Sequence, residues 1–454
     1  MRIMIMRRFI SPLVFALLTI VIHITPAAAM KIERVVSPGG IEAWLVRDTT
    51  LPILALEFSF RGGAVTDPAD KAGRAYLAME MLTEGAGDLD SQAFAATLED
   101  RAIALDFDAG TDTIQGSLKT LNEHRDTAVE MLRLAMLKPR LDAKDIERLR
   151  ARLLAALARE NENPEIIARR ALMAAAFPDH PYGRPTRGTL ESVARLQVDD
   201  LRQFIAQRLA RDNLIVGVVG DITPTALGAI LDRAFGELPA KSTPVAIADV
   251  APSGSGRTIV ISRPVPQSVI VMAEEGVKRD DPDWFAASLV NYVLGGGGFN
   301  SRLMNEVREK RGLTYGIYTS LATFDRASLL IAASSTENTR AGRALDVARD
   351  VWERLHAQGP TEDELENAKN YLTGSFALRL DSTTQIARTL VAVQYDRLGI
   401  DYLGKRDALI RAVTLADAKR VAQRLLDPKR LLTVVVGQPE GIAGADTAPA
   451  ARGG

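Results

Sequence analysis

Beyond residue 30 the chain alternates short apolar runs with stretches in which apolar positions recur every three to four residues. Residues 41–46 and 53–60 are apolar runs of strand length, the second closed by Gly62-Gly63. Residues 71–83 carry helical spacing, 102–107 and 113–118 read as paired strands, and 127–137 and 142–159 read as helices. The last of these is opened by Asp142 and closed before Asn163-Pro164. A strand over 214–219 and a helix over 223–235 follow. The same order then recurs: strand 269–273, helix 283–294, strands 315–321 and 327–333, helix 340–356, and a further helix from Thr361.

Local composition echoes this order. Asp145-Ile146-Glu147-Arg148-Leu149-Arg150 answers to Glu364-Leu365-Glu366-Asn367-Ala368-Lys369, and Asn213-Leu214-Ile215-Val216 to Leu431-Leu432-Thr433-Val434. The offset of 217 to 219 residues indicates a duplicated domain rather than a solenoid of short repeats. Residues 239–257, with Pro239, Pro244, Pro252 and Gly254-Ser255-Gly256, read as a surface linker. The expected organisation is therefore α+β in two homologous domains, 30–238 and 258–437, with a flexible Gly/Ala/Pro-rich tail over 438–454.

Residues 1–29 read differently. Arg2, Arg7 and Arg8 precede an apolar run over 9–24, which His23 interrupts, and Pro26-Ala27-Ala28-Ala29 closes the segment. This three-part pattern predicts a cleaved secretory signal, and hence a periplasmic or secreted protein with no membrane association after cleavage. No later segment is apolar for long enough to span a bilayer. Hydrophobic residues make up 47% and charged residues 25%, which excludes wholesale disorder. Lys and Arg total 56 against 57 Asp and Glu, so no global field favours nucleic acid. With no cysteine there is no disulfide, thiol nucleophile or thiolate metal site.

The segment 72–85, Ala-Gly-Arg-Ala-Tyr-Leu-Ala-Met-Glu-Met-Leu-Thr-Glu-Gly, follows the strand ending at Arg61-Gly62-Gly63 and the turn Asp67-Pro68-Ala69-Asp70. Further landmarks are Asp179-His180-Pro181-Tyr182-Gly183, Gly296-Gly297-Gly298-Phe299-Asn300-Ser301-Arg302-Leu303 and Glu306-Val307-Arg308-Glu309-Lys310-Arg311-Gly312-Leu313. Over residues 32–437 the chain resembles the insulinase/pitrilysin-type zinc peptidases and the mitochondrial processing peptidase. The resemblance implies two domains, each a mainly antiparallel sheet with helices, forming a clamshell. It also implies a His-x-x-Glu-His helix in the first half, whose histidines bind zinc on one helical face while the Glu activates water. Here the matching positions hold Tyr76, Met79 and Glu80, and the position of the third ligand, a Glu in the family, holds Ala156; Glu160 lies one turn away. No metal and no cofactor are expected.

Other sites read as structural. His124, His180 and His356 are more than 50 residues apart in sequence, and His180 before Pro181 reads as a turn residue. Glu80 and Glu84 read as a solvated or paired acidic face. Asp106, Asp108 and Asp112 imitate a calcium loop, but Thr111 and Ser117 stand where that loop needs Gly and Glu. There is no Gly-x-Ser-x-Gly elbow, and Gly295–Gly298 lacks the Lys-Ser/Thr of a phosphate loop. The glycine run reads as a tight turn or, following the resemblance, as a loop in which Gly296, Gly297 and Gly298 touch substrate.

Arg308 and Tyr315 are retained. The resemblance implies that such an Arg/Tyr pair binds the substrate carbonyl, and two hydrogen-bond donors do suit a developing oxyanion. The resulting expectation is a non-catalytic, substrate-binding subunit for peptide or unfolded polypeptide. It would pair in a heterodimer with a homologous chain that carries the zinc. A structural processing-peptidase-like core protein and a metallopeptidase with an unrecognised metal site are the alternatives.

Overall fold

The uninterrupted apolar run at 53–60 becomes a strand buried on both faces, and the architecture follows from how those faces are covered. The computed structural model describes residues 30–448; the expected leader lies outside them. Strands β1 (Ile32–Val36), β2 (Glu42–Arg47), β3 (Ile53–Arg61), β4 (Ala104–Ala109), β5 (Thr113–Leu121) and β6 (Leu214–Gly220) form a first sheet in the order β1-β2-β6-β3-β5-β4. Strands β7 (Thr258–Ser262), β8 (Gln267–Glu275), β9 (Ile317–Thr323), β10 (Ser328–Glu337), β11 (Leu432–Gly437) and β12 (Asp446–Ala448) form a second, ordered β12-β7-β11-β8-β10-β9. Without β1 and β12 the two orders coincide, and in each the first strand runs parallel to the last while the others pair antiparallel. The duplication read from local composition is thus a duplication of topology.

On β3, Leu54, Leu56, Phe58 and Phe60 enter the core of the first half, so Ala55, Glu57 and Ser59 face the other way. That second face is covered by the Thr383–Tyr395 helix, which comes from the second half of the chain. Small residues make room for it: a Cβ on Gly217 of β6 would lie 2.5 Å from the Ala387 carbonyl oxygen. Buried Glu57 accepts hydrogen bonds from Ser117 Oγ (2.6 Å) and Arg388 Nε (3.2 Å). Reciprocally, the Pro164–Ala176 helix of the first half packs on β8 and β11. Its Ala168, Leu172 and Ala176 join Val269, Val271, Leu432 and Val434 in a third apolar core shared by the halves. Strands covered on both faces lose polar alternation, which explains the continuous apolar runs.

Residues 239–257 run irregularly across this junction, held by Val250 N–H to Arg326 O (3.0 Å) and Ser253 N–H to Ala176 O (2.7 Å). The segment expected as a flexible tail is tied down as far as Ala448: Glu440 N–H bonds Asn338 O, and β12 pairs with β7. Among the described residues no helix is long and apolar enough to cross a membrane.

Candidate functional site

The helix expected over 71–83 is shorter, Arg74–Glu80, with a 3₁₀ turn on each side. Gly73 precedes it with φ 92°, and the Asp67 carboxylate caps it from a distance, accepting from the Gly73 and Ala75 N–H groups (3.1 and 3.2 Å) and from Arg74 Nε (3.3 Å). Burial pushes the Asp67 carboxyl up to about 6. Met79, at the position of the family's base, is 1% exposed and belongs to the first core. Tyr76 and Glu80 are only partly buried, Tyr76 packing against Leu153, Leu157 and Val193.

What surrounds them is cationic. Arg152 Nη2 lies 2.5 Å from Glu80 Oε2, and Arg148 Nη2 lies 2.5 Å from Glu84 Oε2. Both arginines sit on the Ala143–Glu160 helix, so an i, i+4 pair of glutamates meets an i, i+4 pair of arginines. Glu160, one turn beyond partly buried Ala156, is ion-paired to Arg170 and Arg187, and the Arg187 guanidinium lies 4.8 Å over the Tyr76 ring. Burial and neighbouring Glu80 raise the Tyr76 hydroxyl. A zinc site needs imidazole, thiolate or carboxylate donors converging on one point. Here the ligand positions hold Tyr76, Glu80 and Ala156, the base position holds a core thioether, and Glu80 and Glu160 are taken by guanidinium groups, so the residues present do not fit the metal. Among the described residues no group of three or more His, Asp or Glu could hold one elsewhere. His180 is a turn residue, its Nδ1 accepting from Tyr182 N–H (3.2 Å) and its Nε2 meeting Ala248 O (3.1 Å). Asp106 and Asp108 lie on the exposed face of β4. Arg152 and Arg187 were missed in the sequence; the matched four-residue spacings of Glu80/Glu84 and Arg148/Arg152 were the available signal.

The second half builds a different constellation. The Trp284–Asn291 helix ends in a π-helical turn, Tyr292–Gly296, where a continuous helix was expected, and a second π-helical stretch covers Met304–Glu309. Such turns concentrate at functional sites. Between them Gly298 adopts φ 58° in open space, while a Cβ on Gly297 would strike the Tyr292 ring at 2.9 Å. The run is therefore a tight turn that projects Phe299, 62% exposed. Arg302 fastens the far end through paired 2.7 Å hydrogen bonds to both carboxylate oxygens of Glu364.

Arg308 sits in the second π-helical stretch, and its guanidinium carbon lies 4.5 Å from the Phe299 ring centre and 5.3 Å from that of Tyr315. Among the described residues its one ionic contact is Nε to Glu309 at 3.5 Å. Tyr315 does not begin a strand as expected: β9 starts at Ile317, because buried Thr314 pins the turn by donating to Ser335 O (2.7 Å) and accepting from Gly316 N–H (3.2 Å). Tyr315 is left 88% exposed, and among the described residues its hydroxyl has no hydrogen-bond partner. The structure thus unites Arg308 and Tyr315 and adds Phe299, which sequence reasoning missed. Among the described residues no hydrogen bond, ion pair or ring contact joins them to Tyr76, Met79, Glu80 or Ala156.

The family model described as insulinase (peptidase family M16) matches residues 45–190, and that of the peptidase M16 inactive domain matches residues 195–372. The chain belongs to the M16 family. Among M16 structures, that of a peptidase M16 inactive domain from Pseudomonas fluorescens is 28% identical, with a TM-score of 0.84, covering 92% of this chain and 99% of that one. The non-peptidase homolog YmxG of Helicobacter pylori is 27% identical over 351 residues, 77% of this chain and 80% of that protein. An uncharacterized zinc protease of Mycobacterium tuberculosis is 28% identical over 447 residues, 91% of this chain and 94% of that protein. M16 relatives similar to this chain thus carry both kinds of name, and the residues at the site have to decide between them.

Proposed function

We propose that this chain is a non-catalytic, peptide-binding subunit of an exported M16 peptidase, supplying Arg308 and Tyr315 to a homologous partner that carries the zinc. One observation carries the reading: a partly exposed Arg308 and a largely exposed Tyr315 stand side by side in a chain whose own Glu80 and Glu160 are held by guanidinium groups. A guanidinium and a phenol can hold a peptide carbonyl and stabilise the charge that develops on its oxygen. They cannot generate the nucleophile, which falls to the partner's His-x-x-Glu-His helix. The name of the Helicobacter pylori relative supports the non-peptidase reading. Export rests on residues 1–29 as a cleaved signal.

The test is co-expression with a His-x-x-Glu-His homologue from the same genome. The pair should co-purify, with zinc stoichiometric to the partner, and should cleave peptides that this chain alone leaves intact. Amino-terminal sequencing of the exported chain should begin near Met30. Zinc held tightly by this chain alone, or peptidase activity without the partner, would overturn the reading.

A further inference from the structure

Phe299 is carried on a turn that is fastened at both ends. The Gly297 N–H donates to Tyr292 O (2.9 Å) and Ser301 Oγ donates to Gly298 O (2.6 Å). Arg302 then ties the far end to Glu364 and to Gly359 O. Among the described residues Phe299 makes one ring contact, and it is with Arg308, whose guanidinium carbon lies 4.5 Å from the ring centre. Tyr315 flanks the same carbon at 5.3 Å. An aromatic ring attracts a guanidinium through its quadrupole, by about two- to fivefold in an equilibrium constant at an exposed site. It consumes no hydrogen-bond donor in doing so, because the N–H groups lie in the guanidinium plane and the ring covers a face. Among the described residues the Nη groups of Arg308 make no hydrogen bond, and only Nε approaches a carboxylate, that of half-exposed Glu309. Without the ring, nothing but that contact would set the direction of a long, flexible side chain.

We propose that Phe299 is a positioning residue: its ring holds the Arg308 guanidinium beside Tyr315 with the Nη donors free for a peptide carbonyl, and the glycine turn holds the ring. The inference rests on the peptide-binding reading and adds the residue that orients its charged donor. Two measurements on the mature chain test it. Nitrogen-15 relaxation of the Arg308 Nε–H, identified by its loss in Arg308→Lys, reads the order of the side chain; anisotropy of a short fluorescein-labelled Ala/Ser peptide reads binding. Phe299 is 62% exposed, so its variants spare the core. Phe299→Leu keeps the apolar bulk without the ring; it should release the Nε–H to nanosecond motion and weaken the peptide about two- to fivefold. Phe299→Tyr should restore both. Gly298→Ala, whose Cβ meets open space but whose φ of 58° disfavours a side chain, should loosen Arg308 in the same direction. In an Arg308→Ala background Phe299→Leu should cost nothing further. With peptide bound, an Nε–H equally ordered in Phe299→Leu, or an undiminished effect of Phe299→Leu in that background, overturns the positioning role and leaves the peptide-binding reading intact. An Nε–H whose order depends on Phe299 in a chain that binds no peptide overturns that reading and leaves the stack. Neither order dependence nor peptide binding overturns both.

Discussion

Glu274 lies within β8, 4% exposed, its carboxyl accepting from Trp352 Nε1 at 2.6 Å and from the Asp427 N–H at 3.1 Å. Burial pushes it up from 4.5 to about 8. The folded chain therefore holds a proton that the unfolded chain releases near its ordinary value. The stabilisation is complete below about 4.5 and lost as pH rises through about 8. Unfolding temperature measured by calorimetry should fall across that window, and Glu274→Gln should flatten the fall. Arg187 offers a second residue-scale test. Removing a half-buried guanidinium that pairs with Glu160 and covers Tyr76 should cost about 1–2 kcal/mol in urea unfolding. Added zinc should not restore it. Recovery of Arg187→Ala by zinc would mean that the surrounding carboxylates can still form a metal site.

At the scale of elements, the packing of each half's helix on the other half's sheet rests on small residues. Gly217→Val would drive a side chain into the Ala387 backbone, and overpacking of this kind costs about 1–3 kcal/mol. The expected signature is a selective loss of hydrogen-exchange protection over Thr383–Tyr395, while β3 and β5 stay protected. Periodicity revealed most strands and the duplication, because central strands and their helices carry strong local patterns. It did not reveal the Pro164–Ala176 and Thr383–Tyr395 helices, whose apolar faces point at a sheet built by the other half of the chain. The short helix at Tyr76 was over-extended for a related reason: its start is set by Asp67 reaching across the turn, a contact between residues with no periodic relation. The family motif exposed Tyr76, Met79, Arg308 and Tyr315 directly. Phe299 stood in a quoted landmark with no role attached to it and Arg187 outside any, since each meets its partner only through folding.

Over the whole molecule the halves are mutually dependent. The shared third core, and Arg61 of β3 stacked 3.9 Å over Tyr395 while that tyrosine's hydroxyl donates to Asp325 Oδ1 at 2.8 Å, couple them at their junction. Residues 30–238 expressed alone should remain non-cooperative and aggregation-prone, with 239–454 supplied in trans restoring a cooperative transition. On the proposed reading, the functional consequence is a rigid mount for Arg308 and Tyr315 as donors to chemistry begun on a partner chain. Turnover by the co-purified two-chain assembly carrying Tyr315→Phe tests this most directly, because the change removes one hydroxyl from an exposed side chain. With assembly verified intact, turnover should fall by about 10²–10³, as for loss of one oxyanion donor. Turnover equal to that of the unaltered assembly would contradict a catalytic contribution from this chain and leave it a structural partner.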